Sequence, residues 1–489
     1  MNVRLAIIRP GAAALAATLL AACALGPDYR RPESALPAGF PADSQAGRAA
    51  GASADIQADW WTLYRDPLLD ELVARALQAN ASIKLALARV DEAQAALRIA
   101  NAAFFPQIDA SASGLRSRIG AAGGGSVAGI GTPRILDVYQ LGLSTSYEID
   151  FWGKLRRASE SARSELLATT YARDFTRIAL ASTTAQAYFA LRALDAQIAV
   201  TQQTLFAMND SRGIAKKRLD AGYTSGLDLA QAQSLAATTA VQLREFRRLR
   251  AVQEHQIGVL SADLGRAILP GNLDTLPIPA SPPPGLPSTL IERRPDVRQA
   301  EQALVSANAQ IGVARADLFP TFALTGAYGG QSLEFSDLLK APFRFWSIGL
   351  GVRLPIFAAG KYTARVDLAE ARARESIANY QGAVEGAFRD VADALVNNEE
   401  TAAGEVEVQT QVDAARRALK LSLSRYQQGY AGYLEVLDAQ RTANTAELAL
   451  VQKRQARLNY SVDLIKALGG GWQGDATRSA PSVPPAALR

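Results

Sequence analysis

Two segments of the chain alternate between apolar residues and polar or small ones. From Asp137 to Phe151, Tyr, Leu, Thr, Ile or Phe occupies every second position, with Gln, Gly, Ser, Glu and Asp between them. From Phe345 to Ile356, Trp, Ile, Leu and Val repeat the pattern. A period of two predicts a strand with one apolar and one polar face. Weaker alternation predicts a partner strand before each segment, over 107–118 and 321–328, so four strands are expected. The stretches 119–134 and 329–343 between partner strands are predicted to be exposed loops.

Long segments with apolar residues spaced three and four apart, and without proline, predict helices. They cover residues 154–219, 227–264, 361–428 and 434–468. A helix of about sixty residues is ~90 Å long, and its narrow apolar stripe favours coiled-coil-like packing against neighbours on both sides. Shorter helices are predicted over 66–103 and 295–318, each ending at a Phe-Pro pair because proline stops a helix.

The same order of elements occurs twice, with a shift of roughly two hundred residues. Gly222-Tyr223 joins the first pair of long helices, and Gly429-Tyr430 joins the second. We therefore expect a duplicated half-protomer. The predicted parts are a first repeat 66–269, a proline-rich linker 270–290, a second repeat 291–469 and a C-terminal tail 470–489.

The N-terminus predicts a secreted, acylated protein. Two arginines and an apolar stretch precede Leu-Ala-Ala-Cys23, which resembles a bacterial lipobox. Cleavage after residue 22 would leave Cys23 acylated at the head of an extended segment, 23–65. Ala24 after it, in place of Asp, favours sorting to the outer membrane, where several acyl chains anchor a protein stably. The alternative is an ordinary signal peptide with a chance cysteine.

A membrane span, if present, must be built from strands, because no apolar run of eighteen residues follows Cys23. Four strands are too few, since the smallest closed membrane barrels have about eight and open sheet edges are not tolerated in lipid. A spanning sheet therefore requires an oligomer. Alternation alone does not exclude a soluble sandwich, although no further strands are predicted to form its second sheet.

Composition argues against an enzyme and against nucleic acid as a partner. The chain has one histidine, His255, and one cysteine, so a catalytic triad or a His/Cys metal site has no candidates. His255 is expected to be an ordinary helix residue. The net charge of +5 is small for 489 residues, and no basic stripe with interleaved aromatic residues is present. We expect no metal and no cofactor other than the lipid on Cys23.

Several short motifs, in order along the chain, resemble the TolC/OprM family of outer-membrane efflux proteins and its lipoprotein (NodT-like) branch. They are Cys23 with Gly26-Pro27-Asp28-Tyr29, Trp60-Trp61 with Asp66-Pro67, Arg293-Arg294-Pro295-Asp296, Tyr147 to Lys154, and Ala467 to Trp472. The resemblance covers essentially the whole mature chain.

This resemblance implies a mainly α fold with membrane β. It predicts a trimeric 12-stranded outer-membrane β-barrel that is continuous with a long periplasmic α-helical barrel. It also implies a channel that passively conducts small molecules such as drugs. The partners would be two further copies of the chain, a periplasmic adaptor protein, an inner-membrane transporter of the RND type and outer-membrane lipid.

The two Gly-Tyr turns are candidate docking tips for the adaptor. Their residues are Arg218, Gly222, Ser225 and Asp228 in the first turn and Arg425, Gly429 and Glu435 in the second. Glycine caps and polar N-caps also explain these residues as plain turn chemistry. The resemblance adds the docking role.

A gate is predicted just after the second turn. Leu434, Asp438 and Arg441 are spaced four and three apart, on one helical face, and the resembling family carries its aperture residues in this stretch. Threefold symmetry would bring three Asp438 carboxylates together, a ring that favours cations. Arg441 is expected to form a salt bridge to a neighbouring helix. The first repeat has Gln231 in place of Asp438, and an ordinary solvated pair is the alternative.

Three other functions stay open at this point. The chain could be the exit duct of a type I protein-secretion system, or a coiled-coil lipoprotein of the envelope that does not conduct. A secreted enzyme on an α/β scaffold is disfavoured by the order of the elements. The sequence does not identify the exported compound.

Overall fold

The computed structural model describes residues 24–33, 36–37, 39–40, 56–119, 134–281 and 291–472. The predicted signal segment, Cys23, much of the linker and residues 473–489 lie outside these ranges. The chain divides into two compact units, each built from both repeats. The first comprises Met1–Pro32, Val90–Thr169 and Ala300–Tyr380; the second comprises Glu33–Arg89, Thr170–Gln299 and Gln381–Arg489.

Four antiparallel strands form one sheet in the order β1-β2-β3-β4. They are β1 Gln107–Ile119, β2 Arg134–Ile149, β3 Thr321–Ser332 and β4 Arg344–Arg353. The predicted strands are therefore confirmed, and β3 extends into the stretch predicted to be a loop. Both β1 and β4 are edge strands in the single chain.

The register of the strands sorts their side chains into an apolar and a polar face. Because side chains in register share a face, the apolar face carries Ile108, Leu141, Leu143, Phe322, Leu324, Tyr328, Trp346, Ile348, Leu350 and Val352. The polar face carries Asp109, Ser111, Ser113, Gln140, Ser144, Ser146, Glu148, Thr325, Gln331 and Ser347. Trp346 and Ile348 are 73% and 76% exposed, so no second sheet covers the apolar face in the described chain.

The main helices are α1 Pro67–Ala79, α2 Ala81–Ala102, α3 Lys154–Asp220, α4 Gly226–Leu260, α5 Pro295–Ala316, α6 Lys361–Gln428 and α7 Tyr433–Ala467. The single helix predicted over 66–103 is wrong. Asn80 interrupts it with an extended backbone, ψ 139°, and its side chain accepts a 2.8 Å hydrogen bond from the Ser82 amide. The asparagine thus caps a new helix. Among the described residues, no helix combines the length and the apolar character that a membrane crossing requires.

In the first unit, residues 24–32 lie extended against α5. Arg31 forms an ion pair of 2.7 Å with Glu301, whose side chain is only 5% exposed. At the start of this segment, a Cβ on Gly153 would lie 2.9 Å from the Cα of Ala24. Gly153 has φ +76°, so this junction between β2 and α3 requires glycine on both grounds. The packing fixes the start of the described chain beside the end of the sheet.

In the second unit, aromatic and aliphatic side chains from the 3-10 helix Trp60–Tyr64 and from α1, α3, α4 and α7 form the largest core. It includes Trp60, Tyr64, Leu69, Leu72, Tyr188, Phe189, Leu191, Ile257, Leu458 and Val462, all nearly inaccessible to solvent. The hydroxyl groups of Tyr64 and Ser461 are 2.6 Å apart within it, so the buried phenol is satisfied.

A buried charge cluster lies beside this core. The Asp195 side chain is 2% exposed and pairs with Arg192 at 2.9 Å and with Arg250 at 2.6 Å. It also accepts a hydrogen bond of 3.0 Å from the Gly271 amide. The two arginines and the amide together stabilise the buried Asp195 carboxylate. A buried carboxylate is tolerated only when its charge is compensated and its oxygens accept hydrogen bonds.

Candidate docking tips and gate

Both long hairpins end in the same turn. The amide of Tyr223 donates to the Arg218 carbonyl at 2.9 Å, and Gly222, with φ +74°, occupies the left-handed position before it. In the second hairpin Tyr430 donates to Arg425 at 2.9 Å across a glycine at φ +85°. These are Schellman caps, which use the last free carbonyls of a helix. The turn chemistry expected of the two glycines is confirmed.

The helices that follow the turns begin differently. In the first, the Ser225 side chain accepts a hydrogen bond of 3.3 Å from the Leu227 amide, and Asp228 lies in the first turn. In the second, Gly432 occupies the N-cap without a side-chain bond, and Glu435 lies in the first turn. Both acids favour the positive end of the helix dipole. The predicted cap residues are thus placed where helix chemistry requires them.

Arg218 joins the two hairpins of one chain. Its guanidinium lies 4.6 Å from the centroid of the Tyr426 ring and donates to the Tyr426 backbone carbonyl at the end of α6. The ring of Tyr426 packs edge-on against Tyr433, with centroids 5.4 Å apart. Burial raises the pKa of Tyr433 to about 12, so both rings are neutral in the physiological range. We call this set, Arg218, Tyr426 and Tyr433, the tip clasp.

Arg425, the counterpart of Arg218 in the second repeat, makes no such contact. It is exposed, and among the described residues its one ion pair is a long one of 3.8 Å with Glu435. The duplicated arginines therefore have different environments, because only Arg218 faces an aromatic ring. This makes the two tips unequal, and it leaves Arg425 more available than Arg218 to an external partner.

The tips also expose apolar side chains that the sequence analysis did not select as docking residues. Tyr223 and Tyr430 are 78% and 76% exposed, and Leu227 and Leu434 are exposed to a similar degree. Large exposed apolar groups at a turn indicate an interaction surface. The signal was present in the sequence, because each Gly-Tyr pair is followed by a leucine just after the N-cap.

The predicted gate residues share one exposed face of α7. Leu434, Asp438 and Arg441 are all exposed, whereas Val436 and Gln440 on the opposite face are buried. The predicted common face is thus observed. Within the described part of the single chain, neither Asp438 nor Arg441 has an ion pair, so the salt bridge expected of Arg441 and the carboxylate ring remain predictions for the assembled protein.

Other candidate chemistry is sparse among the described residues. His255 is exposed on α4, in keeping with an ordinary helix position. No group of three or more His, Cys, Asp or Glu side chains in the described ranges is arranged to hold a metal ion. The arrangement offers exposed helix ends and a two-faced sheet.

The profile of the family described as "Outer membrane efflux protein" matches residues 72–261 and 286–470. Among curated proteins, the cation efflux system protein CusC of Escherichia coli O6:H1 is 33% identical over 94% of this chain and 97% of its own length. The solvent efflux pump outer membrane protein SrpC of Pseudomonas putida is 34% identical over 93% of this chain and 96% of its own.

The crystal structure of the Campylobacter jejuni CmeC outer membrane channel is also similar. It superposes on 92% of this chain and 96% of its own with a TM-score of 0.85 and 26% identity. The fold class predicted from the sequence, a duplicated half-protomer of long helices and membrane strands, is confirmed as that of the solved outer-membrane channels.

Members of this family are efflux channels of the outer membrane, not enzymes. The match covers more than half of the chain by the family profile and over nine-tenths of it by the two relatives. The chain belongs to the outer membrane efflux protein family.

Proposed function

We propose that the protein is the exit duct of a tripartite efflux system and passively conducts small molecules from the periplasm to the exterior. The observation that carries this proposal is the sheet. It has one apolar and one polar face, and among the described residues the outer edges of β1 and β4 are unpaired in a single chain. In lipid, such edges must be paired.

Three copies of the chain satisfy the edges. Pairing β4 of one copy with β1 of the next closes a barrel of twelve strands, which exceeds the minimum of about eight for a membrane barrel. The apolar face then meets lipid and the polar face lines a water-filled lumen. The α3–α4 and α6–α7 hairpins continue the duct as a helical barrel. Homotrimerisation is therefore part of the proposal.

The hairpin tips are the proposed docking surface for a periplasmic adaptor. Tyr223, Tyr430 and Leu227 supply exposed apolar area, and Arg425 and Glu435 supply charge. Exposed aromatic residues with an arginine are typical of the centre of a protein interface. The polar tip residues predicted from the sequence then surround this centre, with Arg218 supporting it from within.

The face formed by Leu434, Asp438 and Arg441 is the proposed aperture. Exposed in the single chain, it would face the threefold axis or a neighbouring copy in the trimer. Three Asp438 carboxylates near the axis would favour cations, and Leu434 would narrow the opening. Adaptor and transporter contact at the tips would open it by an iris-like movement of the helices.

A lipid anchor on Cys23 fits the geometry of the described neighbour. Ala24 packs against Gly153, in the short connection between β2 and α3. If the sheet spans the outer membrane with the helices in the periplasm, this junction lies at the periplasmic surface of the outer membrane. Acyl chains on the preceding residue would enter the inner leaflet there and anchor the protein.

The cargo is proposed to be small molecules, with their selection left to the inner-membrane transporter. Two relatives of nearly equal identity are named for different cargo, cations for CusC and solvents for SrpC. If related ducts serve pumps with such different cargo, the duct itself does not select the cargo, which supports passive conduction by this protein. It also favours small molecules over the proteins of type I secretion.

Reconstitution into a planar bilayer tests the proposal. A passive duct gives discrete conductance steps without an energy source, and a non-conducting envelope lipoprotein gives none. In a strain that lacks its own exit ducts, expression with a matching adaptor and transporter is expected to restore resistance to small toxic compounds. Restoration of protein secretion alone would instead support the type I alternative.

A further inference from the structure

A crevice lies on the apolar face of the sheet, from the middle of β1 and β2 towards the end of the strands far from the helices. The connection from β3 to β4 folds back over this face. Its Phe335 ring packs edge-on against Tyr139, with centroids 5.6 Å apart, and the backbone of Leu338 occupies the space beside Gly330 that a side chain would need. Leu338 is buried, so the loop predicted to be exposed is partly packed onto the sheet.

Small residues on β1 leave the crevice open. Ala112 and Gly114 form its floor, Tyr139 and Leu141 of β2 one wall, and Phe335 and Leu339 of the connection the other. The volume of this open crevice, about 660 Å³, lies within the range of sites that hold a small organic molecule, roughly 300–1,000 Å³. Larger side chains on β1 would fill it.

The side chains that line the crevice are mainly apolar, so contact with hydrocarbon is more favourable for them than contact with water. Phe335 and Leu339 are 73% and 71% exposed, although they belong to a connection at the end of the sheet. Large apolar side chains clustered beside an open apolar crevice indicate a surface that a partner covers. On a face that meets lipid, the partner of matching chemistry is an acyl chain.

Cations mark the outer mouth of the crevice. Arg116 and Arg118 follow Gly114 on the same face of β1, at steps of about 7 Å along the strand. Lys340 follows Leu339 on the other wall. Arg116 pairs with Asp137 at 3.4 Å and Lys340 pairs with Asp337, while Arg118 has no carboxylate partner among the described residues.

An apolar crevice with arginines just beyond it is complementary to an acyl chain that ends in a phosphate-bearing head group. Arg binds phosphate with charge-assisted hydrogen bonds, and basic clusters beside lipid-facing surfaces bind anionic head groups. The carboxylates beside Arg116 and Lys340 hold these cations in place when the site is empty.

We propose that this crevice binds one acyl chain of a phosphorylated glycolipid of the outer leaflet, and that Arg116 and Arg118 bind its phosphate. The inference rests on the proposed function, because this end of the sheet reaches the outer leaflet only if the sheet spans the outer membrane with the helices in the periplasm. The glycolipid would thereby hold the β3–β4 connection against the sheet.

Native mass spectrometry of the full chain, extracted from membranes in detergent, tests the site. The probes are bis-phosphorylated lipid A, the same lipid without phosphates, and phosphatidylglycerol. The wild type is expected to retain lipid A, and Ala112→Phe to bind it at least about tenfold more weakly. Ala110→Phe is the matched control, since Ala110 lies on the same strand and face one step nearer the helices and does not line the crevice.

A charge variant separates the two parts of the site. Arg116→Gln with Arg118→Gln is expected to weaken lipid A by about tenfold and to leave the dephosphorylated lipid unchanged. Equal retention of lipid A by Ala112→Phe and Ala110→Phe would overturn the inference, as would phosphatidylglycerol competing as well as lipid A. Bilayer conductance is measured on the same preparations. Conductance without selective lipid retention refutes the glycolipid site alone, whereas absence of conductance in the wild type refutes the duct.

Discussion

Removal of the Arg218 side chain is expected to loosen the two hairpin tips and favour the open duct. In the structure this arginine stacks over Tyr426 at 4.6 Å and donates to the carbonyl of the same residue. It is the charged contact between the tip of α3 and the end of α6, beside a small apolar cluster that includes Ala215 and Tyr426. If opening separates the hairpins, the contact contributes to the closed state only.

The size of the effect follows from the two interactions. A hydrogen bond from a charged donor contributes about 1.5–3 kcal/mol, and a cation–π contact about 0.5–1 kcal/mol at a solvated site. Because Arg218 is only half-buried, we take about 2 kcal/mol for the sum. At 1.36 kcal/mol per tenfold change, Arg218→Ala should raise the open-to-closed ratio about 30-fold for each chain.

Single-channel recording in planar bilayers measures this ratio directly. Arg425→Ala is the matched control, because it removes the duplicated arginine whose only ion pair is exposed and 3.8 Å long. Such a pair contributes less than about 1 kcal/mol, so its open probability should stay near that of the wild type. A double variant of Arg218→Ala with Tyr426→Leu should open little more than Arg218→Ala alone, since Tyr426→Leu removes only the ring contact of Arg218 and leaves its hydrogen bond to the backbone carbonyl.

The reasoning is refuted if Arg218→Ala gates like the wild type, or if Arg425→Ala opens the channel to the same extent. The second outcome would mean that charge at the tips, and not the tip clasp, holds the duct closed. Susceptibility of cells to a large hydrophilic antibiotic gives a second readout, because a leaky duct admits compounds that the outer membrane excludes.

Further predictions concern the turns, the buried charge cluster, the aperture and pH. Gly429→Ala should cost about 1 kcal/mol for its left-handed backbone at φ +85° and lower the melting temperature in circular dichroism, whereas Gly213→Ala, inside α3 with open space around an added Cβ, should not; equal melting temperatures would contradict the strain argument. Asp195→Ala should destabilise the fold by about 3 kcal/mol or more, because two half-compensated arginines remain in the interior, and a melting temperature unchanged by the substitution would show that they find other partners. Asp438→Asn should lower the cation selectivity measured as a reversal potential in a salt gradient, and an unaltered potential would place this residue away from the lumen. Burial raises the pKa of the Asp463 carboxyl, so this group destabilises the fold increasingly as the pH rises above its unfolded-state pKa of about 3.9, and the full loss is reached above the raised folded-state pKa. Asp463→Asn should therefore raise the melting temperature at pH 7 and leave it unchanged well below pH ~3.9, and a stabilisation confined to acidic pH would contradict the sign.

The strands and turns were predictable because their chemistry is local. Alternation along β2 and β4 fixes which side chains share a face once the strands pair, so the two-faced sheet follows from the sequence pattern. Likewise, a glycine followed by tyrosine at the end of a long helix is enough to predict a Schellman cap. These features depend on neighbours a few residues away.

Features that depend on distant contacts were not predictable. Arg218 and Arg425 occupy equivalent positions in the duplicated sequence, yet only Arg218 meets an aromatic ring, more than two hundred residues away in the chain. The β3–β4 connection has the composition of an exposed loop, and its packing against the sheet depends on Gly330 having no side chain. The break at Asn80 depends on capping bonds that compete with an otherwise continuous helical pattern.

The glycolipid crevice could not be predicted from the sequence for the same reason, because it depends on contacts between distant segments. Ala112, Tyr139 and Phe335 come from three separate segments, and none of them carries a recognisable motif. Their juxtaposition is set by strand register and by the fold of the connection. The common face of the predicted gate residues, in contrast, could be predicted from helical spacing alone, because all three lie on α7.

The native mass of the detergent-solubilised full chain tests the central claim most directly. The account requires three copies, because four strands per chain close a membrane barrel only in an oligomer and the trimer gives twelve. A particle of three chains, each beginning at an acylated residue 23, is the predicted result. A monomer that remains in solution without detergent would contradict the duct, its aperture and its lipid contacts together.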